Sequence, residues 1–496
     1  MQFTRTWICT CLLLVPLANS RIATAEVKPH ALFSDGMVLQ CDRPVPIWGT
    51  AAEGEEVTVE FEGQRQSAVT EDGRWMTWLA PLKAGGPFTM KISGSNEITI
   101  QEVLVGDVWI CSGQSNMQWP LNKSENAEEV ISSSANPRIR LLSVPRGPAA
   151  EPKRDLQVKW LECKSENVAN FSAVGYYFGR DLEKARHVPI GLINTSYGGT
   201  PAEAWTSKEK LQADPLLEPI LTRAAKEPVE NPKRATGLYN AMIAPLVPYA
   251  IRGAIWYQGE SNSGRAYEYA RLFPTMIQNW REVWGQGDFP FLLVQLAPFM
   301  KIQEEPGDSA WAELREAQRF ATHALPNTAM AVITDVGEEN DIHPRKKAPV
   351  GARLALAARA LAHGEPIVFS GPEYESVRIE GNKAFVRFRN VGKGLVAKNG
   401  TLTGFTIAGS DQKFHKANAE IAGNEVVVSS EHVPRPVAVR FGWANYPVVN
   451  LWNEEGLPAS PFRTDDFPWT TARPKEDPPT RKAPGRAVRE KLQKSS

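Results

Sequence analysis

The sequence predicts an α/β fold with a parallel sheet, flanked by β-rich regions on both sides. Short apolar runs alternate with helical patterns through the middle of the 496-residue chain, and turn-rich segments stand before and after them. Alternating strands and helices are typical of βαβ units, whereas short strands separated by turns indicate antiparallel β structure. A chain of this length exceeds what one hydrophobic core usually serves, so we expect several domains.

The pattern of elements divides the chain into five segments. The first predicts a signal peptide, because Arg5 precedes a short apolar stretch and Ala23-Thr-Ala25 is typical of a cleavage site. A secreted or periplasmic protein follows, and no later stretch is long enough to predict a membrane span. The last segment is rich in proline and lysine, which predicts a disordered basic tail. The expected segments are the signal peptide (1–25), an N-terminal β domain (26–101), the α/β domain (102–365), a C-terminal β-rich region (366–468) and the tail (469–496).

Periodic patterns set the bounds of individual elements. Apolar residues at helical spacing predict helices at 172–186, 267–284, 311–325 and 348–361. Strand patterns cover 57–62, 89–93, 376–380, 383–388 and 425–429. The segment from Ala202 to Pro232 is polar and broken by prolines, and it is either part of a cleft or a surface excursion.

Composition excludes several classes of function. Lysine plus arginine equals aspartate plus glutamate at 56 each, so no net charge recruits nucleic acid. Beyond the predicted signal peptide three cysteines remain, Cys41, Cys111 and Cys163, and an odd number leaves at least one thiol free or intermolecular. No clustered histidine or CxxC pattern occurs, so we predict no metal and no cofactor. The oligomeric state stays open.

A serine stands at the tip of a turn that follows the apolar run from Val103 to Cys111. Gly113 and Ser115 place a hydroxyl where a strand passes into a helix. Such a turn lifts the side chain out of the sheet and leaves its own N–H free to face an anion. Ser115 is therefore a candidate nucleophile. The alternative is that Ser115 and its neighbours only cap a helix.

Three further apolar strands each run directly into a polar or glycine-rich loop. Ligands of open parallel sheets bind outside the carboxyl ends of the strands, so these loops and the Ser115 turn are expected to converge on one site. The three strand-loop pairs are 189–194 with 195–200, 253–257 with 258–262, and 330–334 with 335–344.

A serine hydroxyl needs a base, and histidine is the side chain that titrates closest to neutrality. His343 is the best candidate, because it alone among the seven histidines lies in a polar loop directly after a predicted buried strand. An attacked carbonyl also needs donors for its developing negative charge. Backbone N–H groups of Gly198 and Gly199, or the side-chain amides of Gln258 and Asn262, are candidates. Each is as readily explained by a turn or a structural hydrogen bond.

Long motifs in a fixed order resemble the sialate O-acetylesterase family, which belongs to the SGNH/GDSL-like hydrolases. The resemblance covers nearly the whole chain after the predicted signal peptide. The motifs are LFSDGMVLQCDRPVPIWGTA (32–51), GDVWICSGQSNM (106–117), INTSYGGTPAEAW (193–205), WYQGESN (256–262), DVGEENDIHPRKK (335–347) and FGWANYPVVNLWNEEGLPASPFRTD (441–465).

The resemblance implies an SGNH-type three-layer α/β/α hydrolase domain and a serine esterase that removes O-acetyl groups from sugars. It makes Ser115 the nucleophile and His343 the base, with the Ser115 N–H, a glycine of the 198–199 pair and an amide of the Gln258 loop as oxyanion donors. Aromatic faces suit sugar rings, so residues flanking the motifs, aromatic ones among them, are expected to contact the substrate, although most tryptophans at strand ends pack in the core or at its rim. These residues are Gln114, Asn116, Trp119, Tyr197, Trp205, Trp256 and Glu260.

One position departs from the superfamily pattern, in which an aspartate precedes the catalytic histidine by three residues. Here that position holds Asn340, which cannot stabilise an imidazolium with a charge. Asp341 is the favoured replacement, with Asp335 behind it, and Glu338 is a further carboxylate of the same loop. The alternative is a Ser-His dyad with solvated acids.

Other functions stay open at this point. The acetyl group could belong to a sialic acid, a xylan or another polysaccharide, because selectivity depends on loop shape. A glycosidase would need two carboxylates across the cleft, and Glu260 with Asp335 or Glu338 could be cast in that role. A non-catalytic carbohydrate-binding protein would use the β regions without consuming its ligand.

Overall fold

The structure is a computed structural model that describes residues 26–472. The predicted signal peptide and residues 473–496 of the predicted tail lie outside these residues. Residues 469–472 are packed on the protein: the backbone N–H groups of Thr470 and Thr471 donate to the Glu313 carboxylate at 2.6 and 3.0 Å. The Trp469 ring also contacts the Tyr267 ring at 6.1 Å. The predicted start of the tail at residue 469 is therefore too early.

The N-terminal region consists of eight strands, and the last of them also forms the centre of the α/β sheet. Strand β8 runs without interruption for 17 residues, and β2 pairs with it in parallel while β7 pairs with it antiparallel. Glu102 in its middle has a φ of 57°, close to shifts in the β7–β8 register. The predicted domain boundary at 102 thus lies inside a strand, and the two regions share one sheet. The bounds are β1 Lys28–Pro29, β2 Val38–Gln40, β3 Val45–Thr50, β4 Glu56–Phe61, β5 Gln64–Val69, β6 Arg74–Leu79, β7 Gly85–Ser93 and β8 Glu97–Gly113.

Six more strands complete the central sheet. Its order is β10-β9-β11-β8-β12-β13-β14, with every pair parallel except β10–β9. Strands β9 and β11 lie on one side of β8, and the later strands β12, β13 and β14 lie on the other. The carboxyl end of β8 is therefore the switch point where such sheets bind ligands. The bounds are β9 Asn136–Ser143, β10 Leu161–Cys163, β11 Ile190–Ser196, β12 Gly253–Tyr257, β13 Phe291–Val294 and β14 Thr328–Ala331.

Helices cover both faces of this sheet. Because strand side chains alternate, Trp109 and Cys111 of β8 enter one core and Val108 and Ile110 enter the other. Helices α4 and α9 complete the first core, while α7 and α8 complete the second. The helix bounds are α1 Ser115–Gln118, α2 Ala127–Ser132, α3 Ser165–Val168, α4 Ala173–Arg186, α5 Lys208–Gln212, α6 Glu218–Ala224, α7 Ala266–Trp284, α8 Ala310–Ala324 and α9 Ala348–His363.

These four long helices are those predicted from the sequence, with ends that agree within two residues. Their apolar stripes are continuous, so periodicity alone located them. Strand β14 differs more, because it covers 328–331 whereas the prediction was 330–334. Val332, Ile333 and Thr334 are buried but lie beyond the strand, at the start of the following loop. The prediction therefore extended the strand into the first residues of the loop, because these residues are buried like those of the strand.

The C-terminal region is β-rich, as predicted, and packs on the α/β domain. Arg315 of α8 is fully buried and donates to the carbonyls of Ala444 at 2.7 Å and Asn445 at 2.9 Å, which ties the two regions together. The bounds are β15 Glu373–Glu380, β16 Lys383–Arg389, β17 Leu395–Ala397, β18 Phe405–Ala408, β19 Phe414–Lys416, β20 Asn418–Ala422, β21 Glu425–Ser429, β22 Ala438–Phe441, β23 Leu451–Asn453 and β24 Phe462–Arg463.

Cys41, Cys111 and Cys163 are all free and buried. Burial raises the pKa of each thiol, to about 12 for Cys41 and Cys163, so these groups are protonated and act as packed residues. Within residues 26–472, no helix is long and apolar enough to cross a membrane.

Candidate active site

The four loops predicted to converge do meet at one edge of the sheet. Strand β8 lies between β11 and β12, and the last residue of β8, Gly113, is in register with Ser196 and with Tyr257. The three strands therefore end at the same level, and the loops that follow begin side by side. The fourth loop, after β14, reaches the same place through contacts with α1, the helix that begins at Ser115.

Gly113 shapes the turn that presents Ser115. Its φ is 133°, and a Cβ at this position would lie 2.2 Å from the carbonyl oxygen of Tyr257, so only glycine fits. The next residue, Gln114, donates its N–H to that same carbonyl at 2.9 Å. Ser115 then opens the four-residue helix α1 and is half-buried. The backbone is thereby fixed on the neighbouring strand while the hydroxyl stays accessible.

The loop after β11 lies directly against Ser115. A Cβ built on Gly198 would stand 3.4 Å from the Ser115 Cβ, so a larger residue would crowd the hydroxyl. The Gly198 N–H donates to Gln118 Oε1 at 2.6 Å. Gln118, which we did not single out from the sequence, therefore accepts the hydrogen bond of the Gly198 N–H, a group that was expected to serve an oxyanion. Gly199 has a φ of 73° and faces open space.

His343 lies in the loop after β14 and faces α1. Its imidazole stacks on the indole of Trp119, with ring centroids 5.0 Å apart and planes 16° from parallel. The neighbouring Ile342 carbonyl accepts a hydrogen bond from Asn116 at 3.0 Å. The histidine ring and the backbone just before it are thus both held by α1 and its C-terminal cap residue Trp119. Partial burial and the nearby ammonium of Lys347 lower the pKa of His343, against the opposing effect of Asp341.

A tight turn decides which acid accompanies this histidine. Glu338 and Asp341 form an isolated antiparallel bridge, so Asn340 lies exposed at the tip of the turn. Asp341 Oδ1 accepts the His343 backbone N–H at 2.8 Å and lies 3.6 Å from His343 Nδ1. The turn therefore places the carboxylate of the residue two positions before the histidine next to the histidine's own backbone and ring.

The other two acids of the loop have different partners. Asp335 binds the guanidinium of Arg353 through both oxygens, at 2.6 and 2.8 Å. Glu338 accepts the backbone N–H of Arg345 at 2.9 Å. Both contacts hold the loop on the protein rather than orient the imidazole.

Gln258 and Asn262 form a buried network beneath the loops. Gln258 is fully buried, and its amide nitrogen donates to the Thr200 carbonyl at 3.3 Å and to Asn262 Oδ1 at 2.6 Å. Asn262 Nδ2 donates to Glu203 at 2.9 Å. These contacts fix the loop after β12 against the loop after β11, and both amide hydrogens of Gln258 are already used.

Several residues expected to contact a sugar are buried. Trp205 and Trp256 have no exposed surface and pack edge to face, 6.0 Å apart, within the core under α7. Gln114 is also buried and accepts the Ser261 N–H at 3.2 Å. Stacking on a substrate is therefore not available to the two tryptophans, because they fill the core. Trp119 and Tyr197 are half-exposed at the cleft. Glu260 is partly exposed as a residue, but its carboxylate is buried.

A cavity of about 330 Å³ opens between Gly199 of the loop after β11, Ser261 of the loop after β12, and helix α6. The segment 202–232 forms one wall through Arg223 and its neighbours, so it is part of a cleft rather than a surface excursion. Arg223 is bound to Glu268 by two hydrogen bonds of 2.8 Å. Arg234 also lines the cavity, and no carboxylate of residues 26–472 lies within ion-pair distance of its guanidinium. Its Nε donates to a backbone carbonyl at 3.2 Å.

Comparison with known proteins identifies the family. The model of a carbohydrate esterase family, sialic acid-specific acetylesterase, matches residues 105–361, which contain all four loops. The chain belongs to this family. It is therefore a carboxylic ester hydrolase.

Similar proteins span most of the chain. The sialate O-acetylesterases of Pongo abelii and Homo sapiens are each 33% identical, over 478 and 479 residues, covering 86% of this chain and 91% of theirs. The crystal structure of a carbohydrate acetylesterase from Xanthomonas citri is 39% identical and covers 89% of this chain and all of that one, with a TM-score of 0.83. Family membership thus extends beyond the α/β domain to both β-rich regions.

Proposed function

We propose that this protein releases acetate from O-acetylated sugars through a serine acyl-enzyme, in an SGNH-type three-layer α/β/α domain. The observation that carries this proposal is the attachment of the His343 loop, through Asn116 and Trp119, to the short helix that Ser115 begins. Helices on both faces of the sheet and a nucleophile at the switch point support the SGNH assignment.

In the proposed first step, Ser115 Oγ attacks the acetyl carbonyl carbon while the neutral imidazole of His343 takes the hydroxyl proton. The C–O bond to the sugar then breaks, and the imidazolium returns the proton to the departing sugar oxygen. A water molecule repeats the sequence on the acetyl-enzyme and releases acetate. The lowered pKa of His343 supports this role, because it keeps the imidazole unprotonated near neutral pH.

Asp341 is the proposed partner of the imidazolium, since it is the carboxylate beside His343 Nδ1. The proposed oxyanion donors are the N–H groups of Ser115, Gly198 and Gly199, together with an amide from the loop after β12. Gly198 becomes available when Gln118 moves from its N–H. Of the two amides predicted there, Asn262 has a donor hydrogen to spare, whereas Gln258 uses both.

We propose that the sugar binds in the cavity lined by Arg234 and Gly199. A guanidinium without a carboxylate partner suits an acidic sugar, and it supports a sialic acid over neutral xylan. Family relatives named sialate O-acetylesterases agree with that choice. We further propose that the protein is secreted, on the basis of residues 1–25, and that the sequence-based domain division applies apart from the boundary at 102, which lies within β8, and the start of the tail.

Acetate release from acetylated sialic acid and acetylated xylan tests the proposal, together with labelling by a serine-directed fluorophosphonate. Ser115→Ala is expected to abolish both turnover and labelling. Ser112→Ala is the matched control, because its buried hydroxyl donates to the Thr195 carbonyl at 2.6 Å and should leave labelling intact. Turnover retained by Ser115→Ala would refute the mechanism. Cleavage of a glycosidic bond, or binding without acetate release in the wild type, would support the glycosidase or carbohydrate-binding alternatives.

A further inference from the structure

A buried lysine lies behind the candidate nucleophile and base. Lys347 is 1% exposed, and its ammonium packs 5.3 Å from the ring centre of Tyr257 and 5.9 Å from that of Trp119. Lysine is almost never fully buried unless its charge is compensated. Here its hydrogen-bond acceptor is Asn116 Oδ1, on the residue that follows Ser115.

Asn116 joins this lysine to a buried acid. Its amide nitrogen donates to Glu260 Oε1 at 2.6 Å and to the Ile342 carbonyl at 3.0 Å. Since both acceptors face the nitrogen, the amide oxygen must face the ammonium, and the orientation of the side chain is determined. Lys347, Asn116 and Glu260 therefore form one continuous polar unit under α1.

We propose that Lys347 is a positioning residue of this site, whose ammonium holds Asn116 and the first turn of α1 in place and acts on the imidazole of His343 through its charge. The inference rests on the proposed function for its meaning in catalysis. Its electrostatic part concerns only the folded protein and can be measured without turnover.

The acidic groups around Lys347 come from two loops, the one after β12 and the one after β14. Glu260, Glu338 and Asp341 favour its ammonium, whereas burial opposes it and lowers its pKa to about 7. His343 stacks on the Trp119 ring that the Lys347 ammonium also contacts, and the Lys347 charge lowers the pKa of His343 in addition to the effect of burial. In the acidic range where His343 titrates, Lys347 is protonated, so the two positive charges disfavour each other.

The direction of the effect follows directly. Removing the charge at 347 removes a repulsion from the imidazolium, so His343 binds its proton at higher pH. Titration of the His343 ring by NMR, assigned with a His343→Gln protein, measures this midpoint. For Lys347→Met we expect the midpoint to rise by roughly one pH unit, the scale of one nearby charge. Lys346→Met, at the exposed neighbouring position, should leave it unchanged.

A second variant separates charge from hydrogen bonding. Lys347→Gln retains a donor toward Asn116 and is expected to raise the midpoint similarly while preserving the fold better. In an active enzyme, the acidic limb of kcat/KM should move upward with the midpoint, and Lys347→Met should lose more kcat than Lys347→Gln. An unchanged His343 midpoint in both variants would overturn the inference. Loss of activity on its own would not do so, because the titration is read from the ring itself.

Discussion

The imidazole of His343 and the indole of Trp119 lie face to face, 5.0 Å apart, although 224 positions separate them in the chain. Trp119 ends the short helix that Ser115 begins. The contact therefore holds the histidine at the end of the helix that the serine begins, and it limits rotation of the ring. A flat aromatic surface is suited to this task, because it fixes the plane of the imidazole without competing for its nitrogens.

Replacing this indole should affect turnover more than substrate binding. We expect Trp119→Ala to lower kcat by roughly tenfold or more, because an unsupported imidazole samples unproductive orientations. Trp119→Phe keeps a ring face and should lose less. Steady-state kinetics with an acetylated sugar decides the point: a raised KM with unchanged kcat would instead assign Trp119 to sugar binding, as the sequence suggested.

The acids of the histidine loop should separate into two roles. Asp341→Asn is expected to reduce kcat by roughly tenfold to a hundredfold, less than the four decades known for a fully buried triad aspartate, since Asp341 is half-exposed. Asp335→Asn should leave kcat nearly unchanged but lower the free energy of unfolding by about 1–3 kcal/mol, because Arg353 loses a bidentate partner. Kinetics and urea unfolding of both variants provide the readouts. Wild-type rates in both would favour a Ser-His dyad.

Arg234 should discriminate between acidic and neutral substrates. Arg234→Gln is expected to raise KM for an acetylated sialic acid about tenfold, which corresponds to about 1.4 kcal/mol from one charge-assisted contact. KM for acetylated xylan should not change. Lys226→Gln, at an exposed site just after helix α6 of the cavity wall, serves as the control. Equal losses on both substrates would indicate that the cavity does not read the acid group.

An ion cluster between α8 and the C-terminal region should make stability depend on pH. Glu373 contacts His323 and is bound by Arg389 at 2.8 Å, and these partners lower its pKa to about 2. Its contribution to stability is therefore complete above the unfolded value near 4.5 and disappears as pH falls toward 2.

We accordingly expect Glu373→Gln to unfold more easily than wild type at pH 7, by about 1–3 kcal/mol, and the difference to shrink below pH 4. Glu375→Gln removes an exposed pair with Arg387 and should have little effect. Urea titrations across this pH range measure both. A difference independent of pH would show that the glutamate acts through packing rather than charge.

The positions of the long helices and of the candidate nucleophile could be predicted from the sequence alone. Helices α4, α7, α8 and α9 follow from apolar periodicity, because one stripe of each must be buried whatever the partner is. The turn at Gly113 and Ser115 was also predicted, since a glycine and a polar residue directly after an apolar run are a local signal. The Tyr257 carbonyl that excludes a side chain at Gly113, in contrast, comes from a distant part of the chain. The alternation of strands and loops also indicated that four loops would meet at one edge.

Which side chains contact one another at this edge of the sheet could be seen only in the folded chain. The turn around Asn340 sets Asp341 beside His343, whereas Asp335 is paired with Arg353 and so is not available to the histidine. No local sequence pattern distinguishes these two acids. Trp205 and Trp256 flank the motifs in sequence yet fill the core. The sequence analysis did not select Lys347, which the folded chain buries against Asn116. Periodicity reports whether a residue is buried, but partners hundreds of positions away depend on strand order and register, which only the folded chain fixes.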